Sequence, residues 1–598
     1  MKTRYRIQAI AAISLLAACS YLEENPRTAQ VPSTVYTTEG GVRSVLVGCY
    51  VQLTSSNYYS SGLTHMGVNS VMLASKNSQS NQVTCQVGTM SPITDNFMTR
   101  PFQAIYTGIN QCNDLLANLA ECDLGEDFRL AVEAEAKFLR AFHYFNIVRL
   151  FGRCPLRVTP CETIEDTYCE RSSLRKVYAQ ILEDLQFAFD HMPDKDKQAV
   201  GYPHRWAARA FMAKVYVQMA CLTQDHFDCT KEPEEERYTP QERAEFWQNG
   251  YDAALEVYQS GKYQLAPLYA SLWNNRSKNT EESIFEVQFN KSYGTDFGIT
   301  IISLDGHAYT PPGAAESIAG YSVYAPNYNG DNTNWGRLRP TKWVFCEHWT
   351  RYGNGKRCND ISTSAELNAD PRFNVTYQYY TDDKDGVPGT QTFFPNRGFG
   401  ISNLAGIMPY LRKYWYDEYN GRNDQNMKVF RYADLLLTLA EAANEIGLTG
   451  EAVGYVNQVL DRAADADGNG VRDAGETQPV QWPTGMNQVD FRNDVMFERI
   501  FELLGENHEM FDVRRRGADY LERCMERNNY WRAMAKETVA NGGWGKNAGA
   551  NYHNTEVGYD YSNRSFLVQN LFFPIPKNEI QHNSLIPESD QNLGWENQ

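Results

Sequence analysis

Residues 133–155 read EAEAKFLRAFHYFNIVRLFGRCP, and the apolar positions Ala134, Phe138, Ala141, Phe145 and Val148 recur at helical spacing. Leu139, Phe142 and Phe151 widen that face until little of the circumference is polar, which predicts a core helix covered by other helices. Its exposed stripe is reduced to Glu133, Lys137, Arg140 and Arg149, with Glu133 one turn ahead of Lys137 in the order that favours an ion pair. Gly152 ends the helix and Pro155 prevents its resumption. Alanines opposite rings let helix axes approach closely, and the same alternation returns in RWAARAFMAKVYVQMA (205–220) and FRYADLLLTLAEAANEIG (430–447). Further helical periods fall at 40–53, 101–119, 177–193, 242–260, 451–464 and 495–517. The fold class is therefore mainly α: a tetratricopeptide-like helical-repeat scaffold whose copies are spaced irregularly and by more than one 34-residue unit.

Two stretches break the period. Residues 55–99 are rich in Ser, Asn, Gly and Thr, carry Tyr58, Tyr59, Asn96 and Phe97, and predict long loops. From 269 to 427 Gly, Asn, Tyr, Trp and Pro dominate; SIFEVQFN (283–290) predicts a strand, and the rest an irregular, loop-rich insert with a few short strands. The chain thus divides into a leader (1–18), a tether (19–39), a scaffold with a ligand loop at 55–99 (40–268), the insert (269–427), and a last repeat with the C-terminal region (428–598).

The leader MKTRYRIQAIAAISLLAACS has three cations before an apolar run too short to span a bilayer, the pattern of a signal peptide. Leu16-Ala17-Ala18-Cys19 has the form of a bacterial lipobox, which makes Cys19 the expected lipidated first residue of the mature chain. Ordinary secretory cleavage with a free Cys19 is the alternative. The acids that follow, Glu23 and Glu24, resemble signals that send some lipoproteins to the outer face of the outer membrane. Twelve further cysteines in an oxidising compartment predict disulfides. Near neighbours in sequence are Cys112 with Cys122, Cys154 with Cys161 or Cys169, Cys221 with Cys229, and Cys346 with Cys358. A net charge of −17 and no basic run exclude nucleic acid and anionic membrane surfaces as partners.

Aromatic content of 13% with a mean hydropathy of −0.54 places many rings in polar loops, where they are candidates for ligand contact. Sugar rings stack their C–H faces on Trp and Tyr while Asn, Asp and Arg take the hydroxyls. Two regions hold that mixture: Asn96 and Phe97 in the first loop, and Trp273, Tyr309, Tyr321, Tyr324, Tyr328, Trp335 and Arg337 in the insert. The competing reading for each is a loop aromatic packed against the array. The sharpest local pattern is a calcium-type loop: Asp465, Asp467, Asn469, Asp473 and Glu476 stand at positions one, three, five, nine and twelve. Gly470 supplies the turn and the Val471 carbonyl the seventh position, so a structural calcium ion is expected there, with a solvated turn as the alternative. Glu498, Arg499, Glu502, Arg514, Arg515 and Arg516 predict a partly buried ion-pair network rather than catalysis. The chain has no GxSxG, HExxH, Walker, dinucleotide or zinc pattern, so a non-enzyme is expected.

As a set, these stretches resemble the SusD/RagB family of outer-membrane nutrient-binding lipoproteins. The lipobox, AEAKFLRAFHYFNIVRLFGRCPL, Leu182-Glu183-Asp184-Leu185, Phe430-Arg431-Tyr432-Ala433-Asp434 with Ala440-Glu441-Ala442, Glu498-Arg499 with Glu502-Leu503, and FFPIPKNEI with Asn583 and Gln591-Asn592 fall in the family's order. The resemblance implies four helix pairs with loops and an insert forming a ligand surface. It also implies a partner, a SusC-type TonB-dependent transporter that the protein covers as a hinged lid, and a glycan or, in some branches, a peptide ligand. Ser75-Lys76-Asn77 departs from an acidic pair carried by many relatives. The expected function is a glycan-binding transport lid at the cell surface, with a peptide-binding lid as the runner-up and an exported glycoside hydrolase third.

Overall fold

A computed structural model describes residues 35–60, 62–75, 96–273, 277–290, 316–318, 321–323, 338–353, 370–378, 410–411, 413–414, 425–534 and 559–596. Helix α1 (Glu39–Val51) starts at Thr38, whose hydroxyl accepts the Gly41 N–H. Strand β1 (Leu73–Ser75) follows, then α2 (Asn96–Ala120), α3 (Glu126–Phe151), α4 (Leu174–His191), α5 (Arg205–Ala220) and α6 (Pro240–Gln259). Strand β2 (Ser283–Val287) enters the insert, which contains β3 (Leu338–Pro340) and α7 (Lys342–Tyr352), and β4 (Met427–Arg431) leaves it. Beyond it come α8 (Tyr432–Glu445), α9 (Thr449–Ala464), α10 (Gln488–Leu503), α11 (Glu509–Arg515) and α12 (Ala518–Met534). Each of α2 to α6 packs on the next; α6 then meets α8, and α8 packs on both α9 and α10. The array is therefore continuous through the insert. Among the described residues no helix is long and apolar enough to cross a membrane.

Helix α3 is the hub. Phe138 and Phe142 both meet Phe211 of α5 and Phe285 of β2 edge-on, with ring centroids 5.3–5.5 Å apart. Gly152 takes a left-handed φ of 73° at its end, where its N–H reaches the Val148 carbonyl. Glu133 and Lys137 pair at 2.9 Å as expected, but Arg140 is not exposed. It is buried and grips Asp184 of α4 through Nε and Nη2, both at 2.8 Å, so this stripe position belongs to a helix–helix joint.

The insert is rooted by β2 and β4, an antiparallel pair with Met427 opposite Val287 and Arg431 opposite Ser283. It is not irregular throughout. Helix α7 buries Trp343, Val344, Phe345, Cys346 and Trp349 against α10 and α12, so this part of the insert joins the main core. The period at 495–517 also divides: α10 and α11 are separate because Gly505 adopts φ 86° between them.

The disulfides expected between Cys112 and Cys122, between Cys154 and Cys161 or Cys169, and between Cys221 and Cys229 do not form among the described residues, where all seven are free thiols. Cys112 and Cys122 are ten residues apart along one helix and its end, roughly 15 Å, while a disulfide needs Cα atoms about 5–6 Å apart. Cys358 lies outside the described residues.

Candidate functional site

The two interruptions of the array meet. Strand β1, from the first, pairs antiparallel with β3, from the second, setting Leu73 opposite Pro340 and Ser75 opposite Leu338. Next to the ladder the Trp343 indole N–H donates to the Val71 carbonyl at 2.6 Å, and the Thr341 hydroxyl donates to the Met72 carbonyl at 3.1 Å. Val71 holds φ 65°, a costly value for a β-branched residue, fixed here by burial and by these bonds.

Residues 55–75 are less of a loop than their composition implies. Tyr58 and Tyr59 are buried; their rings lie against His143 and Phe142 of α3, and both hydroxyls accept from the Asn146 amide. They are core residues. Asn96 and Phe97 stand in the first turn of α2, which begins before Pro101. Tyr321 lies in a short strand, Tyr321–Val323, paired with Glu316–Ile318 and placed opposite Ile318. Tyr309, Tyr324, Tyr328, Trp335 and Arg337 lie outside the described residues.

Trp273 is not an exposed stacking platform. It is 6% exposed, with Tyr414 edge-on at 5.0 Å and the Lys413 ammonium 4.7 Å from its ring centre. The sequence pattern could not distinguish it from a loop aromatic, because the cations that cover it, Lys413, Lys428 and Arg431, lie far along the chain.

Below Trp273 is a buried charge network. Arg431, the last residue of β4, donates to Glu282 at 2.6 Å, Glu502 at 2.7 Å and Glu506 at 2.7 Å. Arg462 of α9 binds the same Glu282 and Glu502, and Arg372 binds Asp370, Glu498 and Glu502. Lys413 reaches Glu506 at 2.8 Å. Burial opposes ionisation of Glu502, but Arg462, Arg431 and Arg372 outweigh it and hold its carboxyl well below the usual range. A second set continues through α8: Asp434 binds Lys214 and Arg499, Asp512 joins Arg499 to Arg515, and Glu441 takes Arg515 and Arg516. The network read from the sequence is present. Its carboxylates are engaged by guanidinium groups and buried, so they hold helices and insert together. Arg514 differs from its neighbours: its Nε donates to the Asn570 carbonyl and its guanidinium lies over Phe573, away from these acids.

The 465–476 loop follows α9 directly. Asp465, Asp467 and Glu476 converge, with one carboxylate oxygen from each within 4.8 Å of the others. Asp465 is buried and its two oxygens accept the Gly468, Asn469 and Gly470 N–H groups at 2.7–3.2 Å. Asn469 donates its amide to Asp467 and Asp473, and its side-chain oxygen accepts the Val471 N–H, so it and Asp473 stand at the rim. Gly468 and Gly470 take φ 75° and 82°, which closes the loop around the three acids. Three hard oxygen donors gathered at one point are of the type that calcium takes.

Residues 281–595, more than half of the chain, match the family model described as SusD family. This protein belongs to the SusD family. Residues 20–217 match a second model, described as starch-binding associating with outer membrane. SusD-like protein P25 of Formosa agariphila is 24% identical over 538 residues, covering 85% of this chain and 89% of its own. SusD-like protein P2 of the same organism is 26% identical over 527 residues, covering 86% and 90%. A solved SusD-like carbohydrate binding protein from Bacteroides fragilis superposes with a TM-score of 0.66 at 17% identity, covering 93% of this chain and 100% of its own. A SusD homolog from Bacteroides thetaiotaomicron gives 0.65 at 19% identity, covering 94% and 97%. At these identities the superpositions establish a common fold.

The stretches that carry the family resemblance are joints of the SusD scaffold. Arg431, Asp434, Glu441, Glu498, Arg499 and Glu502 all sit in the buried charge sets. Near the C-terminus, Asn592 donates to the Phe151 and Phe573 carbonyls, tying the last residues to the end of α3. These stretches therefore serve packing.

Proposed function

We propose that this SusD-family protein is a non-enzymatic glycan-binding lipoprotein of the outer membrane, anchored through Cys19 and exposed at the cell surface. It acts as the lid of a SusC-type TonB-dependent transporter. The observation that carries this reading is the β1–β3 ladder, which joins the two interruptions of the array and gives a ligand surface a rigid base. The chemistry expected on that base is aromatic stacking from Tyr324 and Trp335 with hydrogen bonding from Asn96 and Arg337. The carbohydrate binding named for the B. fragilis relative agrees with it. The loop of Asp465, Asp467, Asn469, Val471, Asp473 and Glu476 holds one structural calcium ion that stiffens the end of α9.

Titration of the purified protein against oligosaccharides and peptides, with each mixture followed for cleavage products, tests the reading. Saturable glycan binding without released sugar is expected. Binding of peptides alone makes it a peptide-binding lid, and sugar release makes it a hydrolase.

A further inference from the structure

Arg514, near the end of α11, is a buried cation that no carboxylate meets among the described residues. It is 4% exposed, its Nε donates to the Asn570 carbonyl at 3.1 Å, and its guanidinium lies 4.3 Å from the centre of the Phe573 ring. Nη1 and Nη2 have no hydrogen-bond partner among the described residues. Every other arginine among them with a bare buried nitrogen is bare at Nε alone. The next two arginines show the contrast: Arg515 binds Asp512 and Glu441, and Arg516 binds Glu441.

The surroundings keep the charge and do not offset it. Burial pulls the guanidinium down only to about 9, so it is protonated at neutral pH. The thiol of Cys229, the ionisable group whose charge would favour it, is pushed up to about 12 by burial and stays neutral. His226, on the short helix Gln224–Thr230, has no nitrogen to spare: Nε2 donates to the Arg514 carbonyl at 2.9 Å, and Nδ1 accepts the Thr223 N–H at 3.1 Å. Asn570 Oδ1 is also bare, but it is uncharged and beyond hydrogen-bond reach of the guanidinium. The face of Phe573 attracts a cation, yet weakly beside the cost of taking an unpaired charge out of water.

We infer that Arg514 Nη1 and Nη2 bind a monovalent inorganic anion of chloride size, which joins the end of α11 to the C-terminal segment at 570–573. One negative charge cancels the guanidinium, whereas a doubly charged oxyanion leaves a surplus among Phe572, Phe573 and Cys229, all of them buried. The donors call for a small sphere. The Cys229 thiol is directed to the Gln569 carbonyl at 3.8 Å and the Asn570 amide to the Phe566 carbonyl at 2.7 Å, so these neighbours offer nothing to the oxygens of a larger anion. Water in the same place would satisfy the N–H groups and leave the charge without a counter-ion. The site does not depend on the glycan reading.

Crystals grown with sodium bromide and measured at the bromine absorption edge locate the ion. Thermal unfolding at fixed ionic strength and fixed calcium, with chloride exchanged for the bulkier gluconate, measures its effect. Arg514→Met removes the charge and keeps an apolar chain in the core. An anomalous peak beside Nη1 and Nη2 of the wild type is expected, with a melting temperature that rises as chloride replaces gluconate and a rise that is lost in R514M. Ordered water there without bromide overturns the site. A bromide peak with no chloride-dependent shift in the wild type, or with the same shift in R514M, marks an adventitious ion only and also overturns it. Should R514M fail to fold, the wild type alone decides: peak and shift together support the site, and the lack of either removes it.

Discussion

The indole N–H of Trp343 donates to the carbonyl oxygen of Val71 at 2.6 Å, joining residues 272 positions apart in sequence. Both residues are at most 1% exposed, so water cannot replace the bond. Trp343→Phe keeps a ring in the core and removes the donor, leaving the Val71 carbonyl, among the described residues, with only the longer Thr341 hydroxyl contact at 3.3 Å. The expected cost is about 1–3 kcal/mol. Because the bond also braces the β1–β3 ladder, glycan affinity should fall with it. Urea unfolding checks the first effect and titration the second; wild-type stability in the variant refutes the role.

Arg431 is bound to three carboxylates, Glu282, Glu502 and Glu506. Arg431→Met leaves them partly uncompensated in the core and is expected to cost about 3–5 kcal/mol. The added glutamine in Arg431→Met with Glu506→Gln removes one of the stranded charges, so the double variant should recover part of the loss. Denaturant midpoints for the two proteins decide it, and additive losses would show that the groups are independent.

The same network fixes the acid limit. Burial alone would raise the Asp370 carboxyl, but Arg372 and His348 bring it down to about 2, and Glu502, Asp434 and Asp512 are also held below their usual values. A carboxyl depressed in the folded state contributes stability that is present above its unfolded pKa near 4 and lost as pH falls toward the folded one. Melting temperature should therefore drop steeply between about pH 4 and pH 2. A flat profile there would falsify the assignment of these acids as ionised.

Glu509 runs the other way. Burial raises its carboxyl to about 7, and one of its oxygens has no hydrogen-bond partner among the described residues while the other accepts the Gly505 N–H. A raised folded value favours the folded state below the unfolded pKa of about 4.5, and that contribution is lost as pH rises through 7. Glu509→Gln keeps an acceptor for Gly505 without the charge. It should be more stable than wild type at pH 8, by at most about 3 kcal/mol, and nearly equal to it at pH 5. Thermal unfolding at the two pH values tests this, and an equal difference at both sinks it.

Legibility in the sequence followed periodicity. Helix α3 was readable because Phe138, Ala141, Phe145 and Val148 repeat within a long, uninterrupted span, and they are all buried. Helix α7 was not, because KWVFCEHWTRY spans only three turns inside a stretch dominated by Gly, Asn and Tyr. Arg140 lay on the polar stripe and could not be assigned to the core until Asp184, 44 residues later, was placed beside it. The two readings of Trp273 could not be separated for a related reason: composition reports that a ring sits among polar residues, and only the fold supplies the lysine above it. In the loop at 465–476 local spacing alone brings side chains together, and Asp465, Asp467 and Glu476 converge there.

That convergence yields the last prediction. Three carboxylate oxygens within 4.8 Å repel one another unless a cation sits among them, and Asp465 is too buried for solvent to screen its share. Backbone N–H groups from Gly468, Asn469 and Gly470 offset part of the Asp465 charge, while Asp467 and Glu476 accept single N–H bonds at individual oxygens. Calcium binding should therefore stabilise the folded chain, by about 2.7 kcal/mol at a free concentration one hundred times the dissociation constant. Chelation should lower the melting temperature of the wild type, and calcium should restore it. In Asp467→Ala the melting temperature should not respond to either treatment, while glycan titration should be little changed because the loop follows α9 and not the β1–β3 ladder. A wild-type melting temperature indifferent to chelator, with no metal found by elemental analysis, removes calcium from the account.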